Sequence, residues 1–182
     1  MSDSGKALRK LLRKDDEYAK FKNILQYASS LAEFDNYCAE METMHQGRKS
    51  RTLAHKSIST KRLVDAVLQD ASYRSRCVEI MMTVNKASRL LHSATEAMRS
   101  HIFAKYKPYL ANYRTKAERD TYVNDLLKEA VSKLADYERI LDMAKYIIED
   151  IDKFSWASRN VIQAMEIMYR AEQTLGSKNV RV

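Results

Sequence analysis

Residues that interrupt regular structure are scarce in this chain. Its 182 residues include three glycines and a single proline, Pro108. A β-rich fold of this length needs turn residues at about every tenth position, and the sequence does not supply them. The abundant residues are mostly good helix formers, among them Ala, Leu, Lys, Arg, Glu and Met. The composition therefore predicts an all-α protein.

Cysteines and long apolar runs are also few. Cys38 and Cys77 do not have the spacing of a metal site, so we expect both to stay reduced and to fill core positions. No apolar run approaches the roughly 18 residues that a transmembrane helix needs, and no signal-peptide pattern is seen. These absences predict a cytoplasmic protein without a transmembrane segment.

Motifs that carry catalysis or bind cofactors are missing as well. The sequence has no phosphate-binding loop, no Gly-rich dinucleotide turn and no nucleophile motif. Glu42 and His45 have the Glu-x-x-His spacing of di-iron bundles, but such a site needs a second pair and two further carboxylates. We therefore expect a non-enzymatic protein that holds neither a cofactor nor a metal ion.

Acidic residues are absent from two long stretches, which makes the distribution of charge uneven. Residues 1–117 hold 22 basic against 12 acidic residues, a net charge of +10. Residues 118–182 hold 10 against 12, a net charge of −2. No acidic residue lies within 43–64 or 97–117. A basic region of this size suits an anionic or phosphate-rich partner.

Apolar residues at steps of three and four predict three helices, over about 15–45, 60–106 and 115–175. Gly47 is expected to stop the first helix, so that residues 46–59 form a basic linker. On this reading residues 1–59 are an N-terminal helix with its linker. Residues 60–182 are a long helical hairpin, and the whole chain is a single domain.

The two arms of the hairpin have a coiled-coil-like pattern. From Cys77 onward the apolar positions of the second helix follow a heptad spacing. Pro108 is expected to end this helix, and Thr115 followed by Glu118 has the spacing of a capping box for the third. Because the turn between them is short, the arms must pack antiparallel, with the N-terminal helix beside them.

The third helix carries an apolar band that is wider than one partner helix covers. The band consists of Ile147, Ile148, Ile151, Phe154 and Trp156. Such a band predicts a further helix or another subunit, so we expect the protein to self-associate. A bend within residues 152–158 is also compatible with the pattern.

The turn FAKYKPYLANYRTK, at residues 103–116, joins cations to aromatic rings. Binding to single-stranded DNA or RNA needs cations that neutralise phosphates and flat side chains on which bases stack. The candidate residues around this turn are Arg99, Lys105, Tyr106, Lys107, Tyr109, Tyr113, Arg114 and Lys116. The linker offers charge alone, for contact with the phosphate backbone, at Arg48, Lys49 and Arg51. The alternative is that the tyrosines only pack the hairpin end while the cations face water.

The late part of the third helix, DIDKFSWASRNVIQAMEI, has a tryptophan, then a basic residue and then an apolar run. Together with the cationic helix and the basic turn, this layout over residues 60–170 resembles the phage recombination mediators of the UvsY type. The resemblance implies an oligomer in the host cytoplasm that binds single-stranded DNA without sequence preference during DNA recombination and repair. It also implies that the oligomer helps a recombinase to replace single-strand-binding protein. It implies DNA contacts at Arg99, Lys105, Lys107 and Arg114.

Two other functions stay open. The heptad spacing and the apolar band also suit a helical scaffold or adaptor whose partner is another protein. The N-terminal segment, with its basic residues from Lys6 to Lys14, is either a helix packed on the body or an amphipathic segment on a membrane surface. For nucleic-acid binding, about four phosphate contacts predict that log affinity falls with log salt at a slope near −3.

Overall fold

The computed structural model describes residues 3–52 and 60–178, and within them the side chains of residues 6–49 and 61–171. The helices are α1 (Asp3–Leu12), α2 (Asp16–Leu31), α3 (Phe34–Thr52), α4 (Thr60–Lys105), α5 (Lys107–Leu110), α6 (Lys116–Leu126) and α7 (Lys128–Lys178). These described residues contain no β-strand, which confirms the prediction of an all-α protein.

The boundaries of α4 confirm the predicted second helix, but the other two predicted helices are each interrupted. Leu127, at φ −100° and ψ 14°, ends α6 just before α7 begins. Beyond that point α7 is a single helix, which includes residues 152–158. Ala32, at φ −137° and ψ 98°, ends α2 in an extended conformation. Neither interruption contains a glycine or a proline, so the sequence carried no signal for it.

Gly47 does not stop a helix, and the prediction is wrong at this point. The helix α3 continues to Thr52, so residues 46–52 of the predicted linker are helical, while residues 53–59 lie outside the described part. Gly47 has no positive φ, and a Cβ there would meet the Tyr73 hydroxyl at 3.5 Å, an ordinary contact. A helical glycine costs about 1 kcal/mol relative to alanine. Packing of α3 against its neighbours offsets that cost.

The chain divides into two compact units. Unit 1 combines the residues up to Glu40 with Glu79–Met143, and unit 2 combines the described residues from Met41 to Val78 with those from Ala144 onward. Each unit therefore takes residues from both sides of position 59. The long helices α4 and α7 each contribute to both units.

In unit 1, α2 lies along the first part of α7. Lys22 forms an ion pair with Glu129, and further along the buried hydroxyl of Tyr137 donates to the carbonyl of Ala28 at 2.8 Å. The two helices thus run in the same direction. The buried residues of these two segments are Phe21, Leu25 and Ala28 in α2 and Tyr137 and Ile140 in α7.

The buried positions of α4 largely follow the predicted heptad spacing. Cys77, Val84, Leu91, Thr95, Met98 and Ile102 are buried, as expected. At two steps the buried residue is the neighbour of the predicted one: Ile80 replaces Met81, and Ala87 replaces Ser88. The only hydroxyl in this row, that of Thr95, donates to the Leu91 carbonyl at 2.7 Å, so its burial leaves no unsatisfied donor.

In unit 2, α3 runs antiparallel to the first part of α4. Met44 Sδ lies 3.9 Å from the buried Cys77 Sγ, and Arg48, one turn later in α3, pairs with the earlier residue Asp70. Cys77 fills a core position, as the sequence predicts.

The helix α3 also runs parallel to the later part of α7 in this unit. The ring of His45 packs edge-on against Tyr146, and Arg48 Nε donates to Asp150 at 3.0 Å. Because α3 is antiparallel to α4 and parallel to α7, these parts of α4 and α7 are antiparallel. This arrangement confirms the predicted hairpin with an N-terminal helix beside it.

Candidate nucleic-acid interface

A buried carboxylate, Asp15, ties the start of α2 to the end of α4 in unit 1. Its Oδ1 caps α2 by accepting two backbone N–H groups of the first turn, at 2.9 and 3.3 Å. Its Oδ2 accepts from Lys105 Nζ at 2.7 Å and from the Tyr106 hydroxyl, and it lies 3.1 Å from His101 Nε2. One carboxylate therefore joins the start of α2 to the end of α4, next to the turn.

Opposing effects act on the pKa of Asp15. Burial alone raises it, but the hydrogen bonds from Lys105, Tyr106 and His101 outweigh burial and hold the pKa of Asp15 well below its ordinary 3.8. The hydrogen bond to Asp15 in turn raises the pKa of Lys105. Burial, reinforced by the same carboxylate, raises the pKa of Tyr106. At neutral pH the cluster thus contains an ionised carboxylate with a protonated lysine and a protonated tyrosine.

Contacts within the protein involve three of the predicted binding residues. Tyr106 is only 7% exposed, so its ring is not accessible to a base. The ammonium group of Lys105 is held by Asp15. Arg99 donates to Glu96 at 2.8 Å and to Asn124 at 2.5 Å. Tyr106, Lys105 and Arg99 are therefore each engaged in contacts within the protein.

The other two predicted tyrosines remain at the surface of the turn. Tyr109 is 36% exposed, and its ring centroid lies 6.4 Å from that of the buried Tyr106. Tyr113 is half-buried and stacks on Tyr122 with centroids 4.8 Å apart and planes at 23°. Because Tyr122 covers one face of Tyr113, only the opposite face can receive a base.

Three cations of the turn make no ion pair within the part of the chain that the structure describes. They are Lys107, Arg114 and Lys116, and all three are exposed.

The predicted capping box is present: Thr115 Oγ1 accepts from the Glu118 N–H at 3.1 Å, and Glu118 accepts from the backbone N–H of Thr115. Glu118 also accepts from the Arg114 N–H at 2.8 Å. The box fixes the backbone here while the Arg114 side chain stays exposed.

One residue of the second predicted basic site, Arg48 in unit 2, is buried. Arg48 is 5% exposed, and its guanidinium pairs with Asp70 and lies 2.9 Å from Asp150. It cannot reach a phosphate, because α4 and α7 supply the acids that its own stretch of sequence lacks. Lys49 is exposed, and the side chain of Arg51 lies outside the described residues.

A further basic element, α1, lies at the same end of unit 1 as the turn. It contacts α5, its side chains Leu8 and Leu12 are buried, and Arg9 Nη2 lies 2.5 Å from Asp125 Oδ2 of α6. The leucine spacing indicated that one face of α1 is buried, but it could not indicate against which partner. The position of α1 beside the turn was therefore not predicted from the sequence.

The described residues show neither a metal site nor a membrane span. They contain no group of three or more His, Cys, Asp or Glu side chains placed to hold a metal ion. In the same residues, no helix combines the length and apolarity that a membrane span requires. Comparisons with protein-family models, curated proteins and solved structures found no match. The function therefore has to be argued from the geometry at the turn.

Proposed function

We propose that this chain is a non-enzymatic, oligomeric protein that binds single-stranded DNA or RNA without sequence preference. Its role would be that of a recombination mediator, which loads a recombinase onto a strand covered by single-strand-binding protein. The observation that carries the proposal is the group of Lys107, Arg114 and Lys116 with Tyr109 and Tyr113. We call these five residues the turn surface.

The turn surface has the two properties that binding of a single strand requires. Its three cations have no acidic partner in the described residues, so they can neutralise phosphates and release the counterions held there. Its two rings offer faces on which bases of any sequence can stack, at about 1–3 kcal/mol per base. No base-reading motif accompanies them, which favours binding without sequence preference. Self-association would raise the avidity of each weak site.

The salt dependence follows from the number of accessible cations. Each phosphate contact to a single strand contributes about −0.7 to the slope of log affinity against log salt, so the turn surface contributes about −2. The sequence-based value near −3 counted cations that the structure holds in intramolecular pairs. The turn surface by itself is therefore a weaker electrostatic site than the sequence indicated.

The test compares two variants that each remove three positive charges. The turn variant is Lys107→Gln, Arg114→Gln and Lys116→Gln. The control variant is Lys86→Gln, Arg89→Gln and Lys133→Gln, three unpaired cations in the described part of unit 1. Arg89 lies 16 residues before the end of α4, about 24 Å along the helix.

Fluorescence anisotropy with single-stranded DNA, duplex DNA and RNA oligonucleotides, over a range of salt, measures the outcome. We expect the turn variant to bind single strands more weakly, with a slope less negative by about 2, while the control keeps most of its affinity. Binding that ignores salt, or a turn variant that behaves like the control, would overturn the proposal.

A protein–protein function is the second candidate, and the exposed end of α7 in unit 2 favours it. Every residue from 159 to 171 is exposed, and Trp156 is 69% exposed. Polar residues recur at steps of four and three in this segment, at Arg159, Gln163, Glu166 and Arg170. Most of the remaining positions are apolar or alanine. A helix with such a wide apolar sector needs partners on more than one side. A scaffold and a self-associating mediator would both use this surface.

A further inference from the structure

We infer that α1 and Arg13, the residue that directly follows it, supply a second part of the nucleic-acid interface, a cationic stripe formed by Lys6, Lys10 and Arg13. This inference rests on the proposed function and extends the binding surface to a helix outside the turn. Its ligand is the phosphate backbone of the same single strand.

Lys6 and Lys10 lie in α1, and Arg13 directly follows it, with its backbone N–H donating to the Arg9 carbonyl at 3.3 Å. The three cations therefore share one face. Their steps of four and three place them on one side of a helix, roughly opposite Leu8 and Leu12, which are buried. All three are exposed, and none makes an ion pair with any residue that the structure describes. The stripe rises about 10 Å along the helix axis. It therefore points a row of unpaired positive charge towards solvent.

Three contacts hold this stripe beside the turn surface. The helix α1 packs against α5, which carries Lys107. Arg9 pairs with Asp125 of α6 at 2.5 Å, and Asp15, just after α1, accepts from the Tyr106 hydroxyl at the start of α5. Two sets of free cations thus lie on neighbouring elements at one end of unit 1, with exposed tyrosine rings on the turn.

The same burial argues against a membrane role for α1. An interfacial helix inserts its apolar face between lipids, but Leu8 and Leu12 are 0% and 2% exposed. What α1 offers to a partner is charge.

Favourable interaction with the helix dipole accounts for basic residues in the last turn of a helix, such as Lys10. It does not account for Lys6, which lies before that turn.

The size of the effect follows from counting cations. The turn surface and the cationic stripe together provide six phosphate contacts, which predicts a salt slope of about −4. Loss of either set of three should reduce the slope to about −2. The measured salt slope therefore distinguishes a surface shared by the turn and the cationic stripe from a site confined to the turn.

The experiment uses the full chain and the α1 variant Lys6→Gln, Lys10→Gln and Arg13→Gln, next to the turn and control variants above. Glutamine is a good helix former, so α1 should stay folded, which circular dichroism checks. We expect wild type to bind an oligothymidylate with a slope of about −4, the α1 and turn variants with about −2, and the control with little change.

Each other result has a defined meaning. If wild type binds no oligonucleotide, the proposed function itself is wrong. If the turn variant is weakened but the α1 variant matches the control, the inference about α1 is overturned and the proposed function stands. Sedimentation with vesicles of phosphatidylcholine and phosphatidylserine adds a further readout. An α1 variant that loses vesicle binding but keeps oligonucleotide binding would also overturn the inference.

Discussion

Replacement of Asp15 by alanine is the most direct test of how the hairpin end is held together. The side chain is 1% exposed. It caps α2 and also accepts a hydrogen bond from the buried Tyr106 hydroxyl. Loss of an N-cap costs about 1 kcal/mol. A buried hydroxyl left without an acceptor costs about 1–3 kcal/mol more. Lys105 is half-exposed and regains water, so it adds little. We therefore expect Asp15→Ala to lower the free energy of unfolding by about 2–4 kcal/mol at pH 7.

Urea unfolding followed by circular dichroism measures this difference, and Asp16→Ala is the matched control. Asp16 is the exposed neighbour in the first turn of α2, where its interaction with the helix dipole is worth about 0.3–1 kcal/mol. If Asp15→Ala is no more destabilising than Asp16→Ala, the carboxylate does not hold α2 to α4 and the reasoning fails.

The dependence on pH gives an independent check. Because the pKa of Asp15 lies below its ordinary 3.8 in the folded protein, the unfolded chain takes up the proton first as the pH falls. The stabilisation by the carboxylate is therefore fully present above about pH 4 and is lost as the pH falls through the folded pKa. The stability difference between wild type and Asp15→Asn should shrink below pH 4. A difference that stays constant from pH 7 to pH 3 would mean that Asp15 is not stabilised as an anion.

Two further perturbations address unit 2. Arg48→Met should cost about 3–5 kcal/mol in urea unfolding, because the buried carboxylate of Asp70 loses the buried guanidinium with which it pairs. Arg74→Met removes an exposed pair with Asp152 and should cost at most about 1 kcal/mol. Equal losses for the two variants would contradict this. Light scattering should give wild type a mass that is a multiple of 21.1 kDa. Ile162→Glu with Met165→Glu should lower that mass, whereas Gln163→Glu on the polar side of α7 should not. A wild type that is monomeric at all concentrations would exclude self-association.

The regular parts of this fold were predictable because they depend on local pattern. The boundaries of α4 follow from Pro108 and from apolar spacing, and the capping box at Thr115 was readable as a residue pair. The breaks at Ala32 and Leu127 were not predictable, since neither contains a residue that disfavours helix. At Gly47 the error was the opposite, since a helix end was predicted where the helix continues. A glycine without a positive φ is tolerated in a helix wherever packing of that helix outweighs its cost.

The exposure and pairing of the candidate binding residues were harder to predict, and for one physical reason. The absence of acids from a stretch of sequence does not mean that acids are absent around it in space. Asp15 lies 90 residues before Lys105 yet accepts a hydrogen bond from its ammonium group at 2.7 Å, and α4 and α7 bring carboxylates to Arg48 in the same way. Net charge along the chain locates a basic region, but only the fold decides which of its cations stay unpaired.

The position of Asp15 leads to a prediction about binding of single strands that differs from the one that net charge alone would give. Removal of an acidic residue near a binding surface ordinarily strengthens attraction for a polyanion. Here the backbone N–H of Asp15 donates to the Leu12 carbonyl at 3.0 Å, so the residue directly follows the last turn of α1 while its carboxylate holds the end of α4. Loss of the carboxylate removes one of the three contacts that place the cationic stripe beside the turn surface, so the stripe should be held there less firmly. Folded Asp15→Asn should then bind single strands more weakly, although its net charge is more positive.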